Sequence, residues 1–445
     1  MTHKSHIYLI GIGGIGMSAL ARYFRSLGKK VAGYDRVRSN NCQQLENEGI
    51  PINYEDKPGK ILPAFKKPDA TLVIYTPAIP TDSEQLTFFQ KGGFELMKRA
   101  KVLGTISEHH PCLAVAGTHG KTTTSALLAH LFLQAGKPIT AFLGGLSVNY
   151  QTNFIAGDAD SILIAEADEY DRSFLQLQPA GAIITSIDSD HLDIYGTAED
   201  LKNTFKDFSK NVNGPLLVHK NTLMKGLTYA LEEDADFSAL NIRVADHQFM
   251  FDFHSEKESI MDIYSGLPGR HNVENALAAA ALALQFGLNA EQVKKGIGSF
   301  KGVKRRFEYH IRQPKLVYID DYAHHPVEVK ALIAAVRELY PQRQITGIFQ
   351  PHLYSRTRDF MDEFAAALSQ LDELVLMNIY PARERPIPGI NAHVLLEKID
   401  LKKKALLGTQ EILTRFEVEK PEVIITIGAG DIDQLINPLK LKLLQ

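Results

Sequence analysis

Short apolar runs alternate along this chain with stretches in which apolar positions recur every third or fourth residue, and glycines punctuate the joins. Ile7-Tyr8-Leu9-Ile10 runs into Gly11-Ile12-Gly13-Gly14-Ile15-Gly16, then into a helical pattern through Ala19, Leu20 and Tyr23. Lys30-Val31-Ala32-Gly33-Tyr34 ends at Asp35, and Ala70-Thr71-Leu72-Val73-Ile74-Tyr75 ends at Thr76-Pro77-Ala78-Ile79. A second unit begins with Cys112-Leu113-Ala114-Val115-Ala116 and turns through Gly117-Thr118-His119-Gly120-Lys121 into a helix carrying Ala126, Leu127, Leu128 and Leu131. A third begins at Leu316-Val317-Tyr318-Ile319, ends in Asp320-Asp321, and closes near Val423-Ile424-Ile425-Thr426-Ile427-Gly428. Strand runs alternating with helical patterns predict an α/β fold of mainly parallel sheets flanked by helices. Glu108-His109-His110-Pro111 and Gln313-Pro314 read as linkers, which divides the chain into 1–109, 110–312 and 313–445. Residues 213–268 alternate short strands with polar turns and predict peripheral β-structure inside the middle domain. No period of about 20–50 residues repeats, which excludes a solenoid.

Composition adds limits. At 445 residues the chain exceeds one compact core, and about three domains are expected. Hydrophobic residues make up 44% and charged residues 23%, as in a soluble globular protein. A net charge of −3, with no basic cluster longer than Lys304-Arg305-Arg306, argues against a nucleic-acid partner. No apolar run approaches the ~20 residues that span a bilayer, so no membrane is expected. The opening Met1-Thr2-His3-Lys4-Ser5-His6 leads directly into a strand, which leaves no room for the apolar core of a signal peptide. The two cysteines, Cys42 and Cys112, support neither a disulfide framework nor a cysteine metal cluster. The expectation is a reduced, cytoplasmic enzyme.

Gly11, Gly13 and Gly16 fit the G-x-G-x-x-G spacing, and Asp35 follows Gly16 by nineteen positions. Glycine lets the backbone approach a diphosphate at a helix N-terminus, and an acid ending the next strand can accept a ribose hydroxyl. A dinucleotide such as NAD, another diphosphate such as a nucleotide sugar, and a bare strand–helix turn all satisfy this pattern. The second loop is more specific. Gly120-Lys121-Thr122 supplies the ending of a P-loop, in which backbone amides wrap phosphates, the lysine reaches the terminal phosphate and the hydroxyl holds Mg²⁺. Its first glycine lies three residues before Gly120 rather than five, so the strand–loop–helix context carries the inference.

Two acidic clusters follow at predicted strand ends, Glu166-Ala167-Asp168-Glu169-Tyr170-Asp171 and Ser186-Ile187-Asp188-Ser189-Asp190-His191-Leu192-Asp193. Ligands of open α/β sheets sit beyond such ends, and carboxylates there suit Mg²⁺. His191 is a softer ligand than Mg²⁺ prefers; zinc is the other reading, though the cysteines of a structural zinc site are missing.

In this order the blocks resemble the Mur ligases over nearly the whole chain. The likeness is carried by Gly11-Ile12-Gly13-Gly14-Ile15-Gly16-Met17-Ser18, Ala116-Gly117-Thr118-His119-Gly120-Lys121-Thr122-Thr123-Thr124, Glu166-Ala167-Asp168-Glu169 and Gly269-Arg270-His271-Asn272-Val273-Glu274-Asn275. It continues through Val303-Lys304-Arg305-Arg306-Phe307-Glu308, Asp320-Asp321-Tyr322-Ala323-His324-His325-Pro326, Phe349-Gln350-Pro351-His352 and Tyr354-Ser355-Arg356-Thr357-Arg358-Asp359. The closest likeness is to the branch that joins L-alanine to the carboxylate of UDP-N-acetylmuramate during peptidoglycan precursor synthesis.

The resemblance implies a Rossmann-like UDP-binding domain, a P-loop-type ATPase domain and a Rossmann-like C-terminal domain that closes over the site, with hinges near 109 and 312. ATP would be co-substrate, Mg²⁺ cofactor, UDP-N-acetylmuramate and L-alanine the partners, and the chain a monomer or weak homodimer. Gly11, Gly13, Gly14, Ile15, Gly16, Asp35, Thr76 and Ala78 would hold the UDP sugar. Gly117, Thr118, His119, Gly120, Lys121, Thr122 and Thr123 would bind the ATP phosphates. Thr122, Glu166 and His191 would hold magnesium. His271, Asn272 and Asn275 would contact ATP on its adenine side, Arg306 its phosphates, and Asp321 would orient it. Lys121, Glu166, His191, Arg306 and Asp321 would form the catalytic set. Tyr322, His325, His352 and Arg356 would lie near the muramate and the amino acid, with His325 or His352 as the base.

Three positions depart from the family pattern. Leu353 replaces an arginine common after the histidine of its block, Ser186 stands where asparagine is usual, and Tyr170 stands where many alanine-adding members have serine. Glu-Ala-Asp-Glu-Tyr-Asp also occurs in the branch that recycles the tripeptide L-Ala-D-Glu-diaminopimelate, the competing assignment. Ser173-Phe174-Leu175-Gln176-Leu177-Gln178-Pro179 and Ile379-Tyr380-Pro381-Ala382-Arg383-Glu384 follow the alanine-adding pattern. An NAD-dependent oxidoreductase would leave residues 117–124 unexplained, and a catalytically idle nucleotide-sugar-binding protein would release no phosphate.

Overall fold

The computed structural model describes residues 3–188, 195, 197–382 and 384–445. The chain forms two compact units, one of residues 1–240, 252–263 and 274–300, the other of 241–251, 264–273 and 301–445.

The first unit contains a five-stranded sheet in the order Ile52–Asn53, Lys30–Tyr34, His6–Ile10, Thr71–Tyr75, Glu95–Lys98, with every pairing parallel. Parallel strands are covered on both faces, which explains why Ile7, Tyr8, Leu9 and Ile10 are all buried with no polar alternation. On one face the helix Ile15–Ser26 presents Ala19, Leu20, Tyr23 and Phe24; on the other, Phe65, Leu86, Phe89 and Phe94 pack together.

The same unit holds the parallel centre of a ten-stranded sheet. Cys112–Ala116 lies between Gly181–Ile184 and Ile162–Glu166, and Ile139–Phe142 and the antiparallel Phe154–Ile155 complete that edge. In the other direction Leu216–His219 and Leu227–Leu231 continue it in parallel, followed by Phe237–Ala245, Gln248–Ser255 and Ser259–Tyr264. Within the first unit, the part of 213–268 expected as peripheral β-structure thus extends the central sheet itself through Leu216–His219 and Leu227–Leu231. One hydrophobic core serves both sheets, and Tyr23 packs against Phe142 and Phe154 at ring distances of 5.4 and 5.9 Å.

The second unit carries a six-stranded sheet in the order Glu308–Arg312, Val317–Asp321, Val423–Ile427, Ile345–Phe349, Glu373–Leu376, Lys404–Leu406. Only the first pairing is antiparallel. The strand Val317–Asp321 includes Asp320 and Asp321, both buried. Asp320 is accommodated there because Arg305 pairs with it at 3.0 Å and Thr426 donates to it at 2.6 Å. Both cysteines are free and buried. Among the described residues no helix is long and apolar enough to cross a membrane.

Candidate functional site

Strand Cys112–Ala116 delivers the chain to Gly117, whose φ of +130° lies in the left-handed region. A side chain there would collide with Thr185 Oγ1 and the Ser186 amide, and a Cβ at Gly120 (φ +80°) would stand 2.5 Å from Asn275 Oδ1. Ser186 clasps the loop: its Oγ shares a 2.8 Å hydrogen bond with Thr118 Oγ1 and accepts from the His119 amide at 2.9 Å. Its carbonyl accepts from the Thr118 amide at 3.1 Å, and Thr185 donates to the His119 carbonyl.

Lys121 opens the helix Lys121–Gln134. Its ammonium donates to the Gly117 carbonyl at 2.6 Å and pairs at 2.8 Å with Glu169, which is fully buried. Burial alone would lower the lysine pKa, but Glu169, Asp168 and Glu166 together outweigh it and hold the pKa above its ordinary value. Thr122 is half-buried in the first turn, Thr123 is buried, and Thr124 donates to Asn275 Oδ1 at 3.1 Å. Asn275 therefore stands at the phosphate turn. Glu166 ends its strand against Gly144, where any Cβ would fall on the Glu166 carboxylate. His191 lies outside the described residues. Beside the loop, a cavity of about 520 Å³ is bordered by Ser186, Asp188, Asn221 and a His219–Glu274 ion pair of 2.8 Å. Glu274 lies in the block of residues 269–275, but no sequence motif marked His219.

In the first glycine turn, Asp35 bends back to accept from the Gly13 amide at 2.8 Å and the Val37 amide at 3.1 Å. A Cβ at Gly13 would meet Cys42 Sγ at 2.5 Å, so this glycine admits the thiol as well as the carboxylate. The Gly14 amide donates to the Gly11 carbonyl at 3.2 Å, and the helix starts at Ile15. Thr76 and Ile79 cover Gly11, each within 3.1 Å of a Cβ placed there, and Ala78 belongs to the same turn.

Two further side chains tie this turn to the middle sheet. Arg99 pairs with Asp168 at 3.2 Å beside Gly16. Asn153, fully buried, donates to the Ile15 carbonyl at 2.6 Å and to Ser18 Oγ at 3.0 Å, and accepts from Arg22, which also pairs with Glu48 at 2.6 Å. Neither Arg99 nor Asn153 sits in a motif.

The second unit gathers the remaining expected residues except Asn275. Asn272 donates from its side chain to the Pro268 carbonyl at 2.6 Å, and His271 follows Gly269, whose φ is +101°. Asp321 spends one carboxylate oxygen on the Phe307 amide and the other on the Ala323 amide, both at 2.7 Å. Burial pushes its pKa up to about 6, against the pull of Arg306. These bonds shape the turn carrying Arg306, whose guanidinium lies 5.2 Å from the Tyr322 ring centre and 3.9 Å from Glu328. His352 stacks on Tyr380 at 5.7 Å and meets His324 edge-on at 6.0 Å. Burial, with His324 and Arg356 nearby, lowers the His352 pKa to about 4. His325 caps the helix Pro326–Leu339, accepting from the Val327 amide at 3.4 Å, and packs against Phe360 at 4.6 Å. Its ring thus has a structural task, and His324 is the histidine beside His352. Leu353, the departure from the family arginine, takes a φ of +72° as it enters the helix Tyr354–Asp359.

Residues 6–111 match the profile of the Mur ligase family catalytic domain, 115–283 the Mur ligase middle domain, and 305–430 the Mur ligase glutamate ligase domain. The UDP-N-acetylmuramate--L-alanine ligase of Parabacteroides distasonis is 49% identical over 444 residues, covering 98% of this chain and 96% of that protein. The crystal structure of the UDP-N-acetylmuramate-alanine ligase of Thermotoga maritima superposes with a TM-score of 0.83 at 26% identity, covering 98% of each chain. A murein peptide ligase of Psychrobacter arcticus shares the fold, with a TM-score of 0.69 at 23% identity over 99% of this chain and 98% of its own.

Proposed function

The chain belongs to the Mur ligase family, and from that premise we infer that it joins L-alanine to the carboxylate of UDP-N-acetylmuramate, converting ATP to ADP and phosphate. The observation that carries this reading is the loop of residues 117–123, whose two glycines take positive φ and which delivers Lys121, ion-paired with buried Glu169, to the start of the helix Lys121–Gln134.

A carboxylate does not accept an amine directly, because its leaving group would be oxide. Transfer of the ATP γ-phosphoryl group to the carboxylate gives an acyl phosphate; the amine attacks its carbonyl carbon, the tetrahedral centre collapses, and phosphate leaves with the amide formed. Lys121 and Arg306 offset charge on the transferring group, and the amides of the loop position it. Thr122 and Glu166 fit a magnesium site: both are oxygen donors, and Gly144 leaves the carboxylate its space. His191 joins them by family resemblance. Magnesium, when bound, would neutralise phosphate charge. The turn at 11–16, with Thr76 and Ala78, takes the UDP portion. Asp321 orients the nucleotide through the Arg306 turn, and Asn275, with His271 and Asn272, also serves the nucleotide. Tyr322, His325, His352 and Arg356 are assigned to the muramate and amino-acid end. His325 and His352 are the candidate acceptors for the proton that alanine's ammonium must lose. The three-domain division at 109 and 312 is part of the same proposal.

Phosphate release from Mg·ATP and UDP-N-acetylmuramate, compared across L-Ala, Gly, L-Ser and L-Ala-D-Glu-diaminopimelate, tests this. L-Ala should support the fastest turnover. Faster turnover with the tripeptide would move the chain to the recycling branch, and no phosphate with any amine would end the proposal.

A further inference from the structure

Arg99 begins the helix Arg99–Ser107, yet its guanidinium reaches the first glycine turn, with Nη1 2.8 Å from where a Cβ would stand on Gly16. Its Nη2 donates to Asp168 at 3.2 Å. The side chain is 22% exposed and, with Ile15, Gly16, Glu166 and Asp168, borders a cavity of about 90 Å³. Within this turn the Gly13 amide is used by Asp35 and the Gly14 amide by the Gly11 carbonyl. What remains for an anion are the amides of residues 15–17, which a helix cannot pair internally. An oxyanion at that place meets those amides, the positive end of a twelve-residue helix, and a planar fork of N–H donors suited to phosphate.

We propose that Arg99 binds the diphosphate of the sugar nucleotide, and that Asp168 holds the guanidinium in place until the diphosphate displaces it. This rests on the function proposed above, and it adds a binding residue that no glycine motif marks. The competing partner for Arg99 is the sugar nucleotide's carboxylate, since the cavity also reaches Glu166. UDP alone separates the two, because it keeps the diphosphate and lacks the acid.

The test is calorimetric titration of UDP into the wild-type chain, R99A, R99K and D168N, with an ATP analogue as the control for an intact middle sheet. R99A should weaken UDP about tenfold or more, the scale of losing charge-assisted hydrogen bonds, with R99K between it and wild type and ATP-analogue affinity within about twofold throughout. D168N should bind UDP as tightly as wild type or tighter. In the ligation assay, KM for the sugar nucleotide should rise in R99K while KM for ATP holds. Unchanged UDP affinity in R99A and R99K overturns the proposal, as does a D168N variant weakened as much as R99A, since the pair would then serve only the fold. If R99A does not fold, R99K and D168N decide. Arg99-dependent UDP binding by a wild-type chain that forms no amide would defeat the proposed reaction while leaving this inference standing.

Discussion

Lys121 shows what a residue spacing can and cannot convey. Glycines on either side of a short polar stretch, then lysine and threonines at a helix start, make a phosphate loop legible even though the spacing departs from the general pattern. Its ion pair with buried Glu169 was not legible, because a run of acids does not say which one turns inward. Lys121→Ala should lower kcat at least ~10²-fold, the scale of one lost transition-state contact, measured as phosphate release; turnover within a few-fold of wild type would remove the assignment. Ser186 is the reverse case: an apparent departure from the family pattern proves to be the clasp on Thr118 and His119. His352 supplies a pH prediction. Its pKa in the fold is lowered to about 4 from 6.5, chiefly by burial, so the folded state binds fewer protons than the unfolded state between those values. The stability this contributes is complete above about pH 6.5 and is lost as pH falls toward 4. His130, lowered by burial to about 4, acts in the same direction. His352→Gln should therefore shrink the drop in melting temperature between pH 7 and pH 5, and an unchanged drop would show that His352 titrates normally in the fold.

At the scale of elements, the strands of the two glycine turns were readable because parallel strands are apolar throughout and end where glycine or an acid begins. Residues 213–268 were harder, since strands of mixed polarity do not reveal whether they join an existing sheet or form their own. The supports between elements were not readable at all: Asn153 and Arg99 act across more than sixty positions of sequence, and no local period encodes that. Gly144 is a clear instance of such a support. It lies just after the strand Ile139–Phe142, and the Glu166 carboxylate occupies the space a side chain would need. A neighbour at the end of a strand has little freedom to withdraw, so Gly144→Ala should turn the carboxylate away from its present position. The expected result is a loss of kcat of about tenfold or more, with nucleotide affinity changed much less, because Thr122 and the loop amides remain in place. Equal turnover in Gly144→Ala and wild type would show that the Glu166 geometry does not matter.

For the molecule as a whole, sequence placed a linker near residue 109, and the question is what that linker separates. The chain passes there from one sheet to another, but the hydrophobic core does not stop: Leu20, Tyr23, Leu103 and Ile106 belong to the same buried cluster as Cys112, Phe142, Phe154 and Phe174. The buried Arg22 is also paired across this passage, with Glu48 on one side and Asn153 on the other. A fragment of residues 1–109 would keep its sheet and its outer cluster around Phe65, Phe89 and Phe94. It would lose the partner for one whole face of the helix Ile15–Ser26, and would leave Arg22 bound by Glu48 alone. Exposing such a face removes the favourable term of about 25 cal/mol per Å² on which a domain of this size depends. Expressed alone, the fragment should bind a hydrophobic dye, self-associate, and melt without a sharp transition in circular dichroism. A monomeric fragment with a cooperative melt would show instead that the first sheet folds independently and meets the phosphate-loop sheet only as a finished surface.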